Sequence, residues 1–280
     1  MRIHQTIQGF SPFSYQYLLQ ELAFYRFQGH YENSGLEVSV QPLSAKDNLH
    51  DFLNLHPRQS FLPVPVLYRE HWQWMSLKPA EIQSMWLPLQ RAQGKVATAG
   101  LGLGYYALRA AAKPEVERVD VYEIDPRVIR FFEKTFSDRA ECSKIHIIQG
   151  DVHQKLVDRT YDFCFLDFYG APFPVQYLKD LSFFLERNQF GYCHIWYEER
   201  IVQELWLKRC DLKLRSDESA LLWMWQEYLL TEGFSLKPRL PELLVEGYSK
   251  IRNYEGGVGR VRSQQSQQVT HRMEQFEGRC

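Results

Sequence analysis

The sequence predicts an α/β protein, with a doubly wound, Rossmann-like and mainly parallel sheet preceded by an N-terminal α+β extension. Three observations predict this fold class. From residue 95 onward, short apolar segments typical of buried strands alternate with segments of helical periodicity. The first such strand runs into three glycines at alternate positions, Gly100, Gly102 and Gly104. Acidic residues follow the next three strands, at the edge where open α/β sheets bind their ligands.

The extension, residues 1–93, has mixed patterning. Apolar residues three and four apart predict a helix over residues 14–27, and the alternating segment GLEVSVQPL predicts a short strand. The segment FLPVPVLYREHWQWM predicts extended structure that its two prolines interrupt. A proline and an acid near its start predict a helix over residues 79–92, which Pro88 is expected to kink or shorten.

Residues 94–255 form the predicted Rossmann-like domain, and residues 256–280 a mobile polar tail rich in Gln and Gly. The predicted strands are KVATAG, VERVDVYE, KIHIIQ, YDFCFLD and GYCHIWYE. Helices are expected between them in YYALRAAAK, PRVIRFFEKTF, VHQKLV and a segment near residues 174–186. Such alternation predicts parallel crossovers. Two further helices and a closing strand in ELLVEGYSKIRNY are predicted after residue 200.

The composition argues against several classes of protein. A chain of 280 residues, 45% of them hydrophobic, is long enough for one large core, and it has no apolar run near the ~20 residues that span a bilayer. The net charge of −1 gives no support to nucleic-acid binding. The arginines of the tail keep a local nucleic-acid contact open as an alternative. No targeting pattern is found and the five cysteines are scattered, so we expect a cytoplasmic protein without disulfides or zinc.

The glycines in KVATAGLGLGYYALRA are typical of a loop that leads from a strand into a helix and binds a ligand. Glycine permits close approach and positive φ, and the helix N-terminus attracts an anionic group. Gly102, Gly104 and Ala107 also satisfy the G-x-G-x-x-A pattern of dinucleotide-binding loops. The glycines alone leave three interpretations open, namely a nicotinamide or flavin site, a methyl-donor site, or a tight turn in a core.

The acids after the later strands narrow this choice. Glu123 lies 21 residues after Gly102, a spacing at which a carboxylate binds the hydroxyls of a ribose. Asp125 precedes a proline and is interpreted as a helix N-cap. Asp151 fits an N-cap or an acceptor for the amine of an adenine, and the two roles are compatible. Asp167 either borders the place of the transferred group or serves the turn that follows.

An acid at the end of three strands is more than dinucleotide binding requires. The glycine loop with Glu123, Asp151 and Asp167 instead fits a cofactor that has one nucleoside and no pyrophosphate. Acids and aromatic faces nearby would stabilise a sulfonium cation. The residues themselves therefore favour a methyl donor over a hydride carrier.

Four segments in this order, VATAGLGLGYYALRAA, VDVYEIDPRVIRFFEK, IIQGD and YDFCFLDFYG, resemble the successive motifs of class I S-adenosylmethionine-dependent methyltransferases. The resemblance covers about residues 94–197. It implies that S-adenosylmethionine is the cofactor and that Glu123 binds its ribose, with Asp151 beside the adenine. It also implies that three residues line the methionine end of the donor, namely Gly100, Gly102 and Gly104.

Two further resemblances concern the donor's methionine end and the acceptor. WQWMSLKPAE is similar to the segment before the glycine motif in small-molecule and arginine methyltransferases, which implies that Met75 and Glu81 lie near the donor. DFYGAPFP resembles the substrate segment of tRNA guanine dimethyltransferases. It implies that Asp167 is the general base or hydrogen-bond acceptor and that Tyr169 orients the acceptor.

Within this superfamily, VDVYEIDPRVI and YDFCFLD are most similar to the spermidine synthases, which transfer an aminopropyl group. That branch has an acid inside its glycine motif, where this chain has Leu103, and a second acid where this chain has residues 168–170. The sequence therefore predicts a methyltransferase that acts on a small molecule or a nucleobase. The alternatives are a spermidine synthase-like aminopropyltransferase, an NAD-binding oxidoreductase and a non-catalytic S-adenosylmethionine-binding protein.

Overall fold

A computed structural model of the chain describes residues 15–42, 63–169 and 174–196. The chain divides into two compact units, residues 1–198 and 199–280, and every described residue belongs to the first. The helices and closing strand predicted after residue 200, together with the polar tail, lie outside the described residues.

The N-terminal part of the first unit contains a helix and a four-stranded antiparallel sheet, which confirms the predicted α+β extension. The elements are α1 (Tyr15–Tyr25), β1 (His30–Asn33), β2 (Leu36–Pro42), β3 (Pro63–Arg69) and β4 (Trp72–Ser76). Each strand pairs with the next one in the chain. Leu22 of α1 packs on the buried Val64 and Val66 of β3, so burial of apolar surface holds the helix on the sheet.

The prolines of this segment lie inside β3, so the prediction that they interrupt the extended structure was wrong. Pro63 begins the strand and Pro65 pairs with Val40 of β2. Proline is tolerated in a strand where its missing N–H removes few hydrogen bonds to neighbouring strands. Both prolines meet this condition on the β4 side, because β4 pairs with β3 only from Val66 onward. The Pro65 carbonyl still accepts a hydrogen bond from the N–H of Leu77 at 2.9 Å.

The helix predicted over residues 79–92 is present as two short helices, α2 (Pro79–Ser84) and α3 (Trp86–Arg91). A continuous helix would need an N–H at position 88 to bond the carbonyl of Ser84, and Pro88 has none. As the third residue of α3, Pro88 instead occupies a first turn, where N–H groups have no acceptor within the helix. The proline therefore shortens the helix, as predicted.

The second sheet has five strands, and every neighbouring pair is parallel. The strands are β5 (Gly94–Ala99), β6 (Val116–Glu123), β7 (Ile145–Gln149), β8 (Thr160–Leu166) and β9 (Gln189–Ile195). The intervening helices are α4 (Tyr105–Ala111), α5 (Pro126–Phe136), α6 (Val152–Lys155) and α7 (Pro174–Arg187), with a 3-10 helix over Ala140–Lys144. The order β7-β6-β5-β8-β9 places the topological switch point between β5 and β8 and confirms the doubly wound, Rossmann-like prediction.

Local signals set the start and the buried face of α5. The Asp125 carboxylate accepts the N–H of Arg127 at 2.9 Å and Pro126 follows it, which confirms Asp125 as an N-cap. The buried residues recur at helical spacing and are Val128, Ile129, Phe131, Phe132 and Phe136. None of the helices in the described part of the chain is long and apolar enough to cross a membrane.

A buried ion pair joins α1 to α4. The carboxylate of Glu21, which is fully buried, accepts Nε of Arg109 at 2.7 Å and Nη2 at 3.0 Å. It also accepts the hydroxyl of Tyr105 at 2.7 Å. Two buried charges are tolerated only while they stay paired and hydrogen-bonded. The extension is thus fixed to the helix that directly follows the glycine loop.

We expect Arg109→Met to lower the free energy of unfolding by about 3–5 kcal/mol, because it leaves the Glu21 carboxylate buried without its cation. The double variant Glu21→Gln/Arg109→Met removes both charges and keeps an amide oxygen for the Tyr105 hydroxyl. It should recover a large part of the loss in urea denaturation. A double variant as unstable as Arg109→Met alone would contradict this account.

Candidate functional site

The glycine loop takes a left-handed path between β5 and α4. Gly100, Gly102 and Gly104 have φ of +92°, +50° and +78°, a region that residues with a Cβ rarely adopt. A Cβ on Gly100 would overlap the backbone carbonyl oxygen of Asp167, and one on Gly102 would overlap the sulfur of Met75. At Gly100 and Gly102 the backbone of the loop therefore lies directly against its neighbours, with no space for a side chain at either position.

Backbone hydrogen bonds bring the ends of three strands together at this loop. The Gly100 N–H donates to the carbonyl of Tyr122 in β6 at 2.8 Å. The N–H of Asp167, which follows β8, donates to the carbonyl of Ala99 in β5 at 2.9 Å. The loop and the acids that follow β6 and β8 therefore share one edge of the sheet, where open α/β sheets bind ligands.

The peptide groups of Leu103 are fixed on both sides by the N-terminal extension. Its N–H donates to Sδ of Met75 at 3.3 Å, and its carbonyl accepts the hydroxyl of Tyr25 at 2.6 Å. Its side chain is 0% exposed, so it points into the protein interior. Met75 was predicted from sequence, whereas Tyr25 was missed because it lies 78 residues away in the chain and carries no local motif.

Glu123, the predicted ribose acid, is held at the end of β6 by two backbone groups. Oε2 accepts the N–H of Leu101 and Oε1 accepts the N–H of Asp125, both at 2.8 Å. Burial raises the pKa of Glu123, and these N–H bonds oppose that rise. A carboxylate offers about four acceptor positions, so acceptor capacity for a ribose hydroxyl remains.

Ile124 is an exposed apolar residue beside this acid, and sequence reasoning missed it. Its side chain is 63% exposed although it directly follows the buried Glu123. An apolar residue between two acids, in YEID, is the signal that indicates such a surface. A flat heterocycle could pack against it while its sugar lies at Glu123.

Asp151 lies beside Glu123 because the N–H of Gly150 donates to the carbonyl of Glu123 at 2.9 Å. Its Oδ1 accepts the N–H of His153 at 2.9 Å, which confirms the N-cap interpretation. Its side chain remains 39% exposed, and Oδ2 has only a long contact of 3.4 Å with Nε2 of Gln154 in the described part of the chain. The predicted adenine contact therefore has an available oxygen and stays a prediction.

Two carboxyl groups with raised pKa values, Asp167 and Glu81, form the acidic part of the site. Burial raises the pKa of Asp167 to about 7. Burial and the negative charge of Asp167 raise the pKa of Glu81 to about 8, against the opposing charge of Lys78. Both side chains keep partial exposure to solvent. The structure therefore brings Glu81, predicted only by resemblance, into electrostatic contact with Asp167.

The segment after Asp167 begins with two stacked aromatic rings. The ring centroids of Phe168 and Tyr169 are 4.3 Å apart with an interplanar angle of 28°. Residues 170–173 lie outside the described residues. The predicted role of Tyr169 in orienting an acceptor is therefore untested and stays a prediction.

No protein-family model matches the chain, and no curated protein matches it. Among solved structures, it is similar to a probable spermidine synthase from Corynebacterium glutamicum ATCC 13032, with 16% identity, a TM-score of 0.36 and coverage of 56% of this chain and 60% of that one. A spermidine synthase from Thermotoga maritima has 12% identity, a TM-score of 0.35 and coverage of 58% and 55%. The O-methyltransferase TomG from Streptomyces achromogenes, in complex with SAM, has 13% identity, a TM-score of 0.33 and coverage of 63% and 67%.

The chain thus spans little more than half the length of the two synthases. At these TM-scores the similarities carry no argument about function. The described strands themselves have the doubly wound, Rossmann-like order that the sequence predicts, with the glycine loop after β5 and acids after the next three strands.

We expect Gly100→Ala to lower the free energy of unfolding by at least about 3 kcal/mol, because it combines positive φ with an overlap onto the backbone of Asp167. Gly102→Ala is the matched control. Its Cβ meets the flexible Met75 side chain, which can move, so we expect a loss of about 1–2 kcal/mol. Urea denaturation measures both, and equal losses would contradict the contact with Asp167.

We expect Glu81→Gln to raise the melting temperature increasingly as pH rises. The unfolded carboxyl loses its proton near pH 4.5 and the folded one near pH 8, so the folded state binds more protons in between. Stability therefore falls across this window more steeply in the parent protein than in the variant, in which only Asp167 of this pair, with its pKa of about 7, still contributes to the fall. The gain in melting temperature should grow between pH 5 and 8 and level off above pH 8. The control is Glu117→Gln, at an exposed side chain, for which the difference in melting temperature from the parent protein should be constant. A pH-independent gain for Glu81→Gln would contradict this assignment.

Proposed function

We propose that this protein binds S-adenosylmethionine at the carboxyl ends of β5 and β6 and transfers its methyl group to a small molecule or a nucleobase. The observation that carries the proposal is the surroundings of the glycine loop. The neutral thioether of Met75 covers Gly102, the backbone of Asp167 contacts Gly100, and the carboxyl groups of Asp167 and Glu81 interact electrostatically. These groups disfavour a pyrophosphate and favour a cationic ligand.

The residues present fit the donor. Glu123 keeps acceptor positions for the ribose hydroxyls, and Ile124 offers an apolar surface to the adenine. Oδ2 of Asp151 supplies an acceptor for the exocyclic amine. When bound, S-adenosylmethionine supplies a methyl group on a sulfonium. Ionised Asp167 would stabilise that positive charge, whereas Glu81, with its pKa of about 8, is mostly protonated at neutral pH.

The protein's task in such a transfer is to position and desolvate the acceptor. Methyl transfer from a sulfonium is an in-line displacement, in which alignment supplies most of the rate enhancement. Where the acceptor carries an O–H or N–H, Asp167 takes up the proton. Its pKa of about 7 suits a general base at neutral pH. Tyr169 is proposed to orient the acceptor from the adjoining position.

A second candidate is aminopropyl transfer to a diamine, which the paired carboxyl groups of Glu81 and Asp167 would favour. The buried side chain of Leu103 argues against it, because the resemblance implies that an acid at this position binds the free amine of the decarboxylated donor. Incubation with decarboxylated S-adenosylmethionine and putrescine separates the two candidates. We expect no methylthioadenosine, and its formation would establish aminopropyl transfer.

We expect the protein to bind S-adenosylhomocysteine, and not NAD, in isothermal titration calorimetry. Glu123→Gln should weaken this binding at least about tenfold, because hydrogen bonds to a charged acceptor contribute about 1.5–3 kcal/mol. Asp125→Asn is the control, since asparagine also caps helices and Asp125 has no proposed ligand contact; its affinity should stay within about threefold. Binding of NAD alone, or an unchanged affinity in Glu123→Gln, would refute the proposal.

A further inference from the structure

His153, near the start of α6, lies between two carboxylates. Its Nδ1 is 3.3 Å from Oδ1 of Asp151, and its Nε2 is 3.1 Å from Oδ1 of Asp180 in α7. Asp180 is only 4% exposed, so it is a fixed partner rather than a mobile surface group. Each ring nitrogen therefore lies within hydrogen-bond distance of a carboxylate oxygen. The ring is therefore anchored at both nitrogens.

Aromatic rings fix the same imidazole on its remaining sides. Phe183 and Phe184 of α7 have ring centroids 5.3 and 5.1 Å from that of His153. Phe168, which directly follows Asp167, meets it edge-on at 5.5 Å with an interplanar angle of 86°. His153 thus connects Asp151 at the end of β7 with the segment that follows β8.

This anchoring determines how the Asp151 carboxyl group is rotated. Oδ1 accepts two hydrogen bonds from the same residue, one from the His153 N–H at 2.9 Å and one from its ring. With Oδ1 engaged twice, Oδ2 is directed away from His153 and has the long Gln154 contact. A carboxylate without the ring contact would keep the backbone bond and the long Gln154 contact, and it would rotate more freely.

We propose that His153 is a positioning residue that holds Asp151 with Oδ2 aimed at the exocyclic amine of the donor's purine, and that it thereby sets the preference for adenine over hypoxanthine. This inference rests on the proposed function. Nothing in the donor contacts His153 itself; it acts through Asp151, with Asp180 as its anchor.

The preference follows from donor and acceptor chemistry. Adenine presents an amine, which donates to Oδ2, whereas hypoxanthine presents a carbonyl oxygen at the same place. A carbonyl facing a carboxylate leaves both acceptors without a donor, and such mismatches discriminate strongly between ligands. The size of the preference depends on how firmly Oδ2 is held, because a carboxylate free to rotate can turn away from the carbonyl.

The test compares the affinities of S-adenosylhomocysteine and S-inosylhomocysteine by isothermal titration calorimetry. We expect the parent protein to prefer the adenine ligand at least about tenfold. His153→Phe keeps an aromatic ring among its neighbours and removes both ring nitrogens. It should reduce the ratio of the two affinities at least about threefold, mainly by weakening the binding of the adenine ligand. His153→Gln should restore part of the lost preference for adenine.

His146→Phe is the matched control, since His146 is an exposed histidine on β7 outside this cluster; its ratio should equal that of the parent protein. Equal weakening of both ligands in His153→Phe would indicate a merely structural role and overturn the inference. An unchanged ratio of affinities in His153→Phe, or a parent protein that binds both ligands equally, would also overturn the inference. If His153→Phe does not fold, the same comparison is made with His153→Gln.

The same measurements separate this inference from the proposed function. A parent protein that binds neither ligand refutes the S-adenosylmethionine site, and the inference falls with it. A parent protein that binds both ligands without preference leaves the donor site in place and refutes only the role of His153. Melting temperatures of all variants establish that each protein titrated is folded.

Discussion

The site depends on the close contact between the backbone of the glycine loop and the ends of the neighbouring strands. Gly100 has no Cβ, so the Asp167 carbonyl oxygen lies where that atom would be. The same packing brings Met75 of the antiparallel sheet against Gly102. Because its glycines fill no volume with side chains, the Glu123 carboxylate, the Asp167 backbone and the Met75 thioether all contact this one short piece of backbone.

The parallel half of the fold was predictable because its signals are local. The strands β5 to β9 and the helices α4 to α7 begin and end within a few residues of their predicted positions. Buried parallel strands are short apolar segments, and the proline and acid at the start of α5 mark its first turn. In the extension, the prediction that proline interrupts the extended structure was wrong. Pro65 is tolerated in β3 because it pairs with β2 and not with β4, and this pairing cannot be read from the local sequence.

The contacts that complete the site were not predictable from local patterns. Tyr25 bonds the carbonyl of Leu103 across 78 positions of sequence, and Glu21 bonds Arg109 across 88. A buried tyrosine or glutamate on a helix has the same local pattern whatever it contacts. The resemblance that placed Met75 and Glu81 near the donor supplied information that spacing and periodicity lack. The charge coupling of Glu81 to Asp167 appears only once the two chain segments are brought together.

The acids at the strand ends show why a structural role does not argue against a ligand role. Glu123 accepts two backbone N–H groups, and Asp151 caps α6. Each carboxylate keeps unused acceptor positions after those bonds are made. The two N–H bonds to Glu123, and the His153 ring beside the cap bond of Asp151, restrict rotation of the carboxylates, so the remaining lone pairs have preferred directions before any ligand arrives. Preorganised groups lose little conformational entropy on binding, and the caps therefore strengthen the case that these acids bind a nucleoside.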